Sequence, residues 1–382
     1  MTALVGARIF DGERFLDDRA VIVEGARIVR ITAHAERPRD NGEIDLGGGV
    51  LAPGFIDVQV NGGGGALMNE APSADVVARI AESHRKFGTV GLMPTLVTDA
   101  PEKMRTAIAA VRDSRRRFPS VLGIHLEGPF LDPAKKGAHD ASYIREIEAT
   151  DIELIANADC GAVMLTLAPN CVSADAIRTL AARGVLVSLG HSDATYEEAQ
   201  VGLAAGARAF THLFNAMSPL QGRRPGMVGA ALDSKEAFVG VVADGRHVHP
   251  ASLRIAFAAK PHDRVMLISD AMPPAAGGPD SFLLQGRKVA RADGCLRLED
   301  GTIAGSVITM DEALRFCVRT IGVTLGHALA MASRTPAAFL RRDRDLGRIA
   351  PGYLASLVHL DDELQVRETW VEGQPTLTTA AA

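Results

Sequence analysis

The middle of the chain carries eight short apolar runs, each followed by a helix-like segment or a long loop. Several runs are almost continuously hydrophobic, as parallel strands are when both faces are covered. They lie at 54–60, 89–97, 121–126, 162–168, 185–189, 207–211, 238–243 and 265–269. Strands that alternate with helices predict a parallel α/β sheet, and eight such units predict a (β/α)8 barrel of the TIM type. A doubly wound open sheet is the alternative.

Two of the intervening segments have recognisable helix boundaries. Ser73 can cap a segment whose apolar residues follow helical spacing and which Gly88 closes. Thr195 and Glu198 can form a capping box. The glycine run at 61–65 lacks the Gly-x-Gly-x-x-Gly spacing of a dinucleotide-binding turn. We interpret that run as a flexible loop over a site, or as a plain loop.

Both ends of the chain alternate apolar and polar residues in the manner of β-strands. The predicted strands are 4–10, 19–24 and 27–31 at the start, and 356–360 and 365–371 at the finish. Neither end has enough strands to be stable alone. We therefore expect the two ends to form one small β-domain, and we divide the chain into segments 1–50, 51–347 and 348–382.

The bulk composition excludes two classes of partner. A formal net charge of -5 with scattered signs gives no basic footprint for nucleic acid. The longest apolar runs are shorter than the about 20 residues that cross a bilayer. An anionic substrate must therefore be attracted by a local basic cluster rather than by the whole molecule.

The cysteines and the first residues indicate a cytoplasmic protein. The four cysteines form no Cys-x-x-Cys pair, and we expect them to be reduced and buried: Cys160, Cys171, Cys295 and Cys317. The start of the chain lacks the charged residues and apolar segment of a signal peptide.

Reactive side chains follow five of the predicted strands: Glu127, His191, His212, Asp244 and Asp270. Because the C-terminal ends of barrel strands meet at one mouth, we expect these side chains to converge. Two histidines and one glutamate are a common ligand set for catalytic zinc, and other divalent ions bind the same groups. Each residue alone has a structural explanation, such as a carboxylate that accepts hydrogen bonds from loop amides. Their coincidence at one face favours a metal site.

Asp270 is the candidate general acid and base. A divalent ion lowers the pKa of a bound water to about 7, and a nearby carboxylate can take the proton and later give it to the departing amine. His139 or His247 is the candidate donor to the oxyanion that develops at the carbonyl. The alternative for His139 is a solvent-exposed, inert side chain in its loop.

Several motifs together resemble the N-acetylglucosamine-6-phosphate deacetylase family of the amidohydrolase superfamily. The motifs are GFIDVQVNG at 54–62, HLEGPF at 125–130, KGAH at 136–139, GHS at 190–192, THLFNAM at 211–217, SDA at 269–271 and GRIAPG at 347–352. The resemblance implies a barrel with a small β-sandwich formed from both termini. It also implies that Glu127, His191 and His212 bind the metal and that Asp270 is catalytic.

The same resemblance implies a set of sugar-phosphate contacts: Ala138, His139, Asn215, Ala216, Arg223, His247, Ile303, Ala304 and Gly305. The guanidinium of Arg223 suits a phosphate because it can donate two parallel charge-assisted hydrogen bonds. Members of this family are commonly homodimers, and in some of them the arginine reaches across the interface.

Two positions differ from many amidohydrolases. Those proteins carry His-x-His at the end of the first strand and bind a second metal there, whereas this chain has Gln59 and Asn61. Neutral amides bind zinc poorly in comparison with imidazole. We therefore expect one divalent metal ion per chain, zinc first, with iron, cobalt, manganese or nickel as alternatives.

The expected reaction is the hydrolysis of N-acetyl-D-glucosamine 6-phosphate to D-glucosamine 6-phosphate and acetate. The galactosamine epimer, or another N-acetyl hexosamine phosphate, is an alternative substrate. Hydrolysis of N-acyl amino acids or cyclic amides is a more distant alternative, and a non-catalytic barrel scaffold belongs to a different class. The expected partners are a small sugar phosphate and a second copy of the chain, without nucleic acid or membrane.

Overall fold

The computed structural model describes residues 1–37 and 42–376. Eight parallel strands form one sheet, in the order in which they follow along the chain. They are Phe55–Val60, Thr89–Val97, Gly123–Glu127, Ala162–Leu167, Leu186–Leu189, Ala209–Phe210, Phe238–Val241 and Val265–Leu267. A parallel bridge between Val60 and Ala271 joins the two edges of the sheet. The predicted (β/α)8 barrel is confirmed.

Helices cover the outside of the barrel. The α-helices are Ala74–Arg85, Pro101–Arg115, Ala149–Ala156, Ala174–Ala182, Tyr196–Ala204, Gly226–Asp233, Pro250–Ala259, Met310–Phe316, Leu325–Ala332 and Arg334–Phe339. Short 3-10 turns lie at His34–Glu36, Pro133–Lys135, Ala141–Tyr143 and His262–Arg264, and a π turn lies at Cys317–Ile321. Ser73 caps its helix through the backbone N–H of Val76, and Thr195 and Glu198 form the predicted capping box.

Strands from both ends of the chain form two sheets beside the barrel. One sheet contains Thr2–Val5, Arg19–Glu24, Arg27–Ala33 and Gly42–Asp45, and the other contains Arg8–Phe10, Phe15–Leu16, Val50–Pro53, Leu357–Leu360, Val366–Val371 and Gln374–Pro375. Apolar side chains of both sheets, among them Leu4, Leu51 and Trp370, share one buried cluster. The two ends of the chain therefore form the predicted small sandwich.

Three details differ from the predictions. The strand predicted at 4–10 is two strands in different sheets, because Gly6 turns the chain in the left-handed conformation with φ +81°. Within the glycine run, Gly62–Gly63 is a buried strand that pairs with Ala66–Leu67, and Gly64 and Gly65 form the turn between them, so the interpretation of the whole run as a loop is wrong. Cys171 is exposed, and the other three cysteines are buried as expected.

A three-stranded antiparallel sheet interrupts the barrel after its eighth strand. Its strands are Ser281–Leu284, Arg287–Ala292 and Cys295–Leu298. Apolar residues of this sheet pack with Val97 and Met272. Val97 ends the second barrel strand and Met272 follows the eighth, so both lie at the C-terminal mouth. The insertion therefore stands beside the mouth as an additional wall.

The predicted segment boundaries at 50/51 and 347/348 stay predictions. Residues 377–382 of the last segment lie outside the described residues. Among residues 1–37 and 42–376, no helix has the length and apolar character needed to cross a membrane.

Candidate metal and catalytic site

Four of the five side chains predicted at strand ends line one cavity of about 390 Å³ at the C-terminal mouth of the barrel. Glu127 ends the third strand, His191 and His212 follow the fifth and sixth strands, and Asp270 follows the eighth. The three candidate ligands are at most 5% exposed. The parallel topology thus brings together residues as far apart in the sequence as Glu127 and Asp270, which are separated by 143 positions.

The candidate ligand atoms face one another. The Nε2 atom of His212 lies 3.0 Å from Glu127 Oε1 and 3.0 Å from His191 Nε2. His191 Nε2 lies 3.3 Å from the same carboxylate oxygen. The imidazoles outweigh the effect of burial, which alone would raise the pKa of Glu127, and they hold that pKa well below its usual range. The carboxylate is therefore ionised.

The hydrogen bond of the His191 ring supports a cation at this point. His191 Nδ1 lies 2.9 Å from the carbonyl oxygen of Lys135. Because a carbonyl only accepts, Nδ1 carries a proton, and Nε2 presents a lone pair to the cluster once it has given up its own proton. Lone pairs of imidazole and carboxylate repel one another in a buried space unless a cation lies between them. The donor set fits a divalent ion.

His139 lies beside this cluster but has a different hydrogen-bonding state. One of its ring nitrogens is within 4.8 Å of ligand atoms of Glu127 and His191. The backbone N–H of Thr98 donates to His139 Nδ1 at 3.3 Å, so the neutral ring carries its proton on Nε2 and acts there as a donor. Burial and the nearby His191 lower the pKa of His139 well below its usual range. The ring is buried, so the alternative of a solvent-exposed His139 is wrong.

Two amide side chains hold Asp270, one within the first barrel strand and one directly after it. Asn61 Nδ2 donates to Asp270 Oδ1 at 2.7 Å, and Gln59 Nε2 donates to the same oxygen at 3.1 Å. Gln59 Nε2 also donates to Glu127 Oε1 at 3.0 Å. Burial and the charge of Glu127 raise the pKa of Asp270 to about 6. The carboxyl group can therefore gain and lose a proton near neutral pH.

Three of the site residues have a backbone conformation that L-residues rarely adopt. The φ angles are +47° at His191, +32° at His212 and +50° at Asp270. Glycine would adopt this conformation without strain, yet each position carries a reactive side chain. Such strain persists where the side chain is needed and the surrounding structure supports it.

A carboxylate fixes the orientation of His247. Asp244 Oδ2 accepts from His247 Nδ1 at 2.6 Å, and Asp244 Oδ1 accepts from the backbone N–H groups of Arg246 and His247. Burial alone would lower the pKa of His247, but the hydrogen bond and the charge of Asp244 outweigh it and the pKa is raised. His247 lines the cavity and can present positive charge to it.

The other predicted contacts fall into two groups. Five of them line the same cavity as His139 and His247: Ala138, Asn215, Ala216, Ile303 and Gly305. Ala304 is fully buried and is not part of the lining, and Arg223 is exposed on the turn that joins Gln221 to Arg224. A single chain therefore does not bring Arg223 into the cavity.

Some lining residues were not anticipated from the sequence. Leu284 and Thr302 come from the insertion and its return segment, Met272 follows the eighth strand, and Lys135 belongs to the loop after the third strand. The insertion carries no reactive motif, so only its alternating apolar residues could have indicated a packed wall. Asp244 was noted at a strand end, but its pairing with His247 was not.

The chain matches two sequence profiles. Residues 50–380 match the Amidohydrolase family, and residues 1–51 match the NagA composite domain. The N-acetylgalactosamine-6-phosphate deacetylase of Shewanella sp. (strain ANA-3) is 39% identical over 372 residues, which cover 97% of this chain and 94% of the relative. The N-acetylglucosamine-6-phosphate deacetylase of Homo sapiens is 37% identical over 380 residues, which cover 95% and 89%.

The fold is also similar to that of a relative whose structure has been solved. The crystal structure of N-acetylglucosamine-6-phosphate deacetylase from Pasteurella multocida superposes with a TM-score of 0.95 and 36% sequence identity. The superposition covers 98% of this chain and 99% of the relative. The similarity therefore includes the barrel, the sandwich and the insertion.

Proposed function

Because the chain belongs to the amidohydrolase family, we propose that it hydrolyses N-acetyl-D-glucosamine 6-phosphate to D-glucosamine 6-phosphate and acetate. One observation carries the proposal: Glu127, His191 and His212 meet within 3.3 Å in the cavity that Asp270 also lines. The substrate is proposed from relatives of 33% and 37% identity that are named for this activity.

Glu127, His191 and His212 would hold one divalent ion per chain, which we take to be zinc, with iron, cobalt, manganese or nickel as alternatives. When bound, the ion supplies a water of lowered pKa and polarises the amide carbonyl. Gln59 and Asn61 direct N–H groups at Asp270. Since their N–H groups do not bind a cation and a neutral amide binds zinc poorly in comparison with imidazole, these two residues support one ion rather than two.

The side chains of this chain move the protons. Asp270 takes a proton from the attacking water and returns it to the amine as the amide bond breaks. The Nε2–H of His139 points away from Thr98 and donates to the carbonyl oxygen as negative charge develops there. Ala138, Asn215, Ala216, Ile303 and Gly305, which line the cavity, hold the sugar.

Positive side chains supply the local attraction that an anionic substrate requires in a chain of net charge -5. His247 is held beside the cavity with a raised pKa. Arg223 binds the phosphate in the cavity of a second copy, so the working form is a homodimer. We place this homodimer in the cytoplasm. The exposure of Arg223 and of Leu220, which is 54% exposed on the same turn, supports a partner at this surface.

The second candidate substrate is the galactosamine epimer. Two relatives that are named for it are 39% and 37% identical, and overall identity does not separate the two sugars. Epimers differ by the direction of one hydroxyl, which a site that hydrogen-bonds to it can discriminate strongly.

The test is acetate release from both 6-phosphates and from unphosphorylated N-acetyl-D-glucosamine, with metal content measured on the same preparation. Fast release from N-acetyl-D-glucosamine 6-phosphate alone supports the proposal. Faster release from the epimer assigns the second candidate. No release from any of the three by protein that holds one ion per chain would overturn both.

A further inference from the structure

The insertion begins with a hairpin whose turn lies beside the catalytic mouth. Leu284 and Arg287 are the last paired residues of its two strands, so Gln285 and Gly286 form a two-residue turn. Leu284 lines the cavity. None of the steps described above uses the side chains of Gln285 or Arg287.

Gln285 is an unfavourable residue for this turn. Its φ is +52° and that of Gly286 is +77°, as in a type I′ turn. Asparagine, aspartate and glycine are strongly preferred at the first position of such turns because they adopt positive φ most readily. A longer side chain at a strained position suggests that the side chain itself has a function.

The side chains of Gln285 and Arg287 bind two backbone carbonyl groups. Gln285 Nε2 donates to Thr98 O at 2.7 Å, and Arg287 Nη2 donates to Ala138 O at 2.7 Å. Arg287 Nη2 also donates to Gln285 Oε1 at 3.1 Å, which joins the two side chains into one unit. We call this unit the Gln285–Arg287 pair.

Both carbonyl groups belong to the residues that position His139. Ala138 precedes His139 in the chain, and the N–H of Thr98 donates to the ring nitrogen Nδ1. Among the described residues this is the one hydrogen bond that the ring makes, and at 3.3 Å it is long. The ring therefore depends on the backbone at 98 and at 138 for its position.

We propose that the Gln285–Arg287 pair positions His139 by fixing the backbone at Thr98 and Ala138, and thereby directs its Nε2–H at the substrate carbonyl. Gln285 and Arg287 are positioning residues, since they act through His139 and not on the reacting atoms. The inference rests on the proposed function for the catalytic consequence, but not for the hydrogen bonds themselves.

The first test is the substitution Gln285→Asn. Asparagine suits the turn better than glutamine, but its side chain is one methylene too short to keep the bond to Thr98. The thermal midpoint should therefore stay the same or rise, while kcat should fall by about 10-fold to about 100-fold, the scale of a misplaced catalytic group. KM should change little. An unchanged kcat would overturn the proposal, because Gln285 would then be only a poor turn residue.

The second test replaces Arg287 with methionine, with Arg291→Met as the matched control. Arg291 lies on the same strand and contacts Asp280 at the surface, so its replacement should leave kcat unchanged. Arg287→Met should lower kcat on the same scale, and Arg287→Lys should restore part of it because an ammonium group can still donate to Ala138 O. In the His139→Asn background, Arg287→Met should cause no further loss.

Two outcomes of the second test would overturn the proposal. Losses that multiply in the double variant would mean that Arg287 does not act through His139. A rise in KM that is confined to phosphorylated substrates would mean that Arg287 binds the phosphate itself.

A measurement without substrate separates this proposal from the proposed function. Deuterium exchange at the Thr98 amide should be faster in Gln285→Asn and in Arg287→Met than in the parent chain, and unchanged in Arg291→Met. If the parent chain releases no acetate, the proposed function fails, while faster exchange still supports the positioning role. Unchanged exchange at Thr98 would overturn the positioning role whatever the substrate.

Discussion

Replacing His191 with asparagine should abolish the stabilisation that a divalent ion gives to the fold. His191 Nε2 lies 3.0 Å from His212 Nε2 and 3.3 Å from Glu127 Oε1, so its loss leaves two of the three proposed ligands. The amide of asparagine is a poor ligand for zinc in comparison with imidazole. The remaining carboxylate stays buried without its cation.

The size of the effect follows from mass action. An ion that binds only the folded state at about 100 times its Kd stabilises the fold by about 2.7 kcal/mol. For 382 residues, an unfolding entropy of about 2.1 cal/mol/K per residue gives a total of about 0.8 kcal/mol/K. The thermal midpoint of the parent chain should therefore rise by about 3 °C when zinc is added to metal-free protein.

The assay is calorimetric unfolding of metal-free protein with and without zinc, with His125→Asn as the matched control. His125 is buried two residues before Glu127, but its ring bonds to the hydroxyl groups of Thr95 and Thr166. The control should unfold at a lower temperature in both conditions and keep the rise with zinc. A full rise in His191→Asn, or none in the parent chain, would refute the ligand assignment.

Three further predictions test the acid/base group, the barrel interior and the phosphate contact. Asp270→Asn should lower kcat by about 10²-fold to 10⁴-fold with metal content unchanged, because Asp270 is not among the three proposed ligands; unaltered acetate release would contradict its role. Burial raises the pKa of Asp57 to about 7, whereas the unfolded chain loses this proton from about pH 4. Between these two pH values the native state binds the extra proton, so the free energy of unfolding should fall as the pH rises from about 4 to about 7. Asp57→Asn should flatten this fall, as measured by denaturant unfolding between about pH 5 and about pH 8, and an equally steep fall in the variant would disprove the assignment. Arg223→Ala should raise KM for the phosphorylated sugar and leave the unphosphorylated sugar unaffected, whereas Arg224→Ala, also exposed on the turn, should change neither; equal effects of the two variants in steady-state kinetics would count against the phosphate contact.

The barrel could be predicted because each of its strands produces a local hydrophobic pattern in the sequence. The nine residues Thr89–Val97 are all buried, and such a run has few interpretations other than a strand covered on both faces. Once eight parallel strands are accepted, the residue after each strand must lie at one mouth. Glu127, His191, His212 and Asp270 could therefore be placed together without any knowledge of their distances.

The hydrogen bonds that set the chemistry could not be predicted in the same way. The tautomer of His139 depends on Thr98, which lies 41 positions away, and that of His191 depends on a carbonyl 56 positions away. No local pattern encodes such contacts, because they arise only when loops from different strands pack. The prediction of one strand at 4–10 failed for a related reason. Glycine also occurs inside ordinary strands, so Gly6 alone does not reveal that the residues on its two sides pair in different sheets.

The first barrel strand shows why the two amides matter to the chemistry. Asp57 and Gln59 lie two positions apart in this strand and Asn61 follows directly after it at the same spacing, so the three side chains point to the same side. Asp57 accepts from the backbone N–H of Ser269, which ties the first strand to the turn that carries Asp270.

Above that tie, Gln59 bridges Glu127 and Asp270, and Asn61 donates to Asp270 at 2.7 Å. One strand thus fixes the separation between a proposed metal ligand and the proposed acid/base group. Imidazoles at these positions would offer lone pairs to a second cation, whereas the amides offer hydrogen atoms to a carboxylate. The same two positions therefore serve to hold Asp270, which agrees with the proposal of one ion per chain.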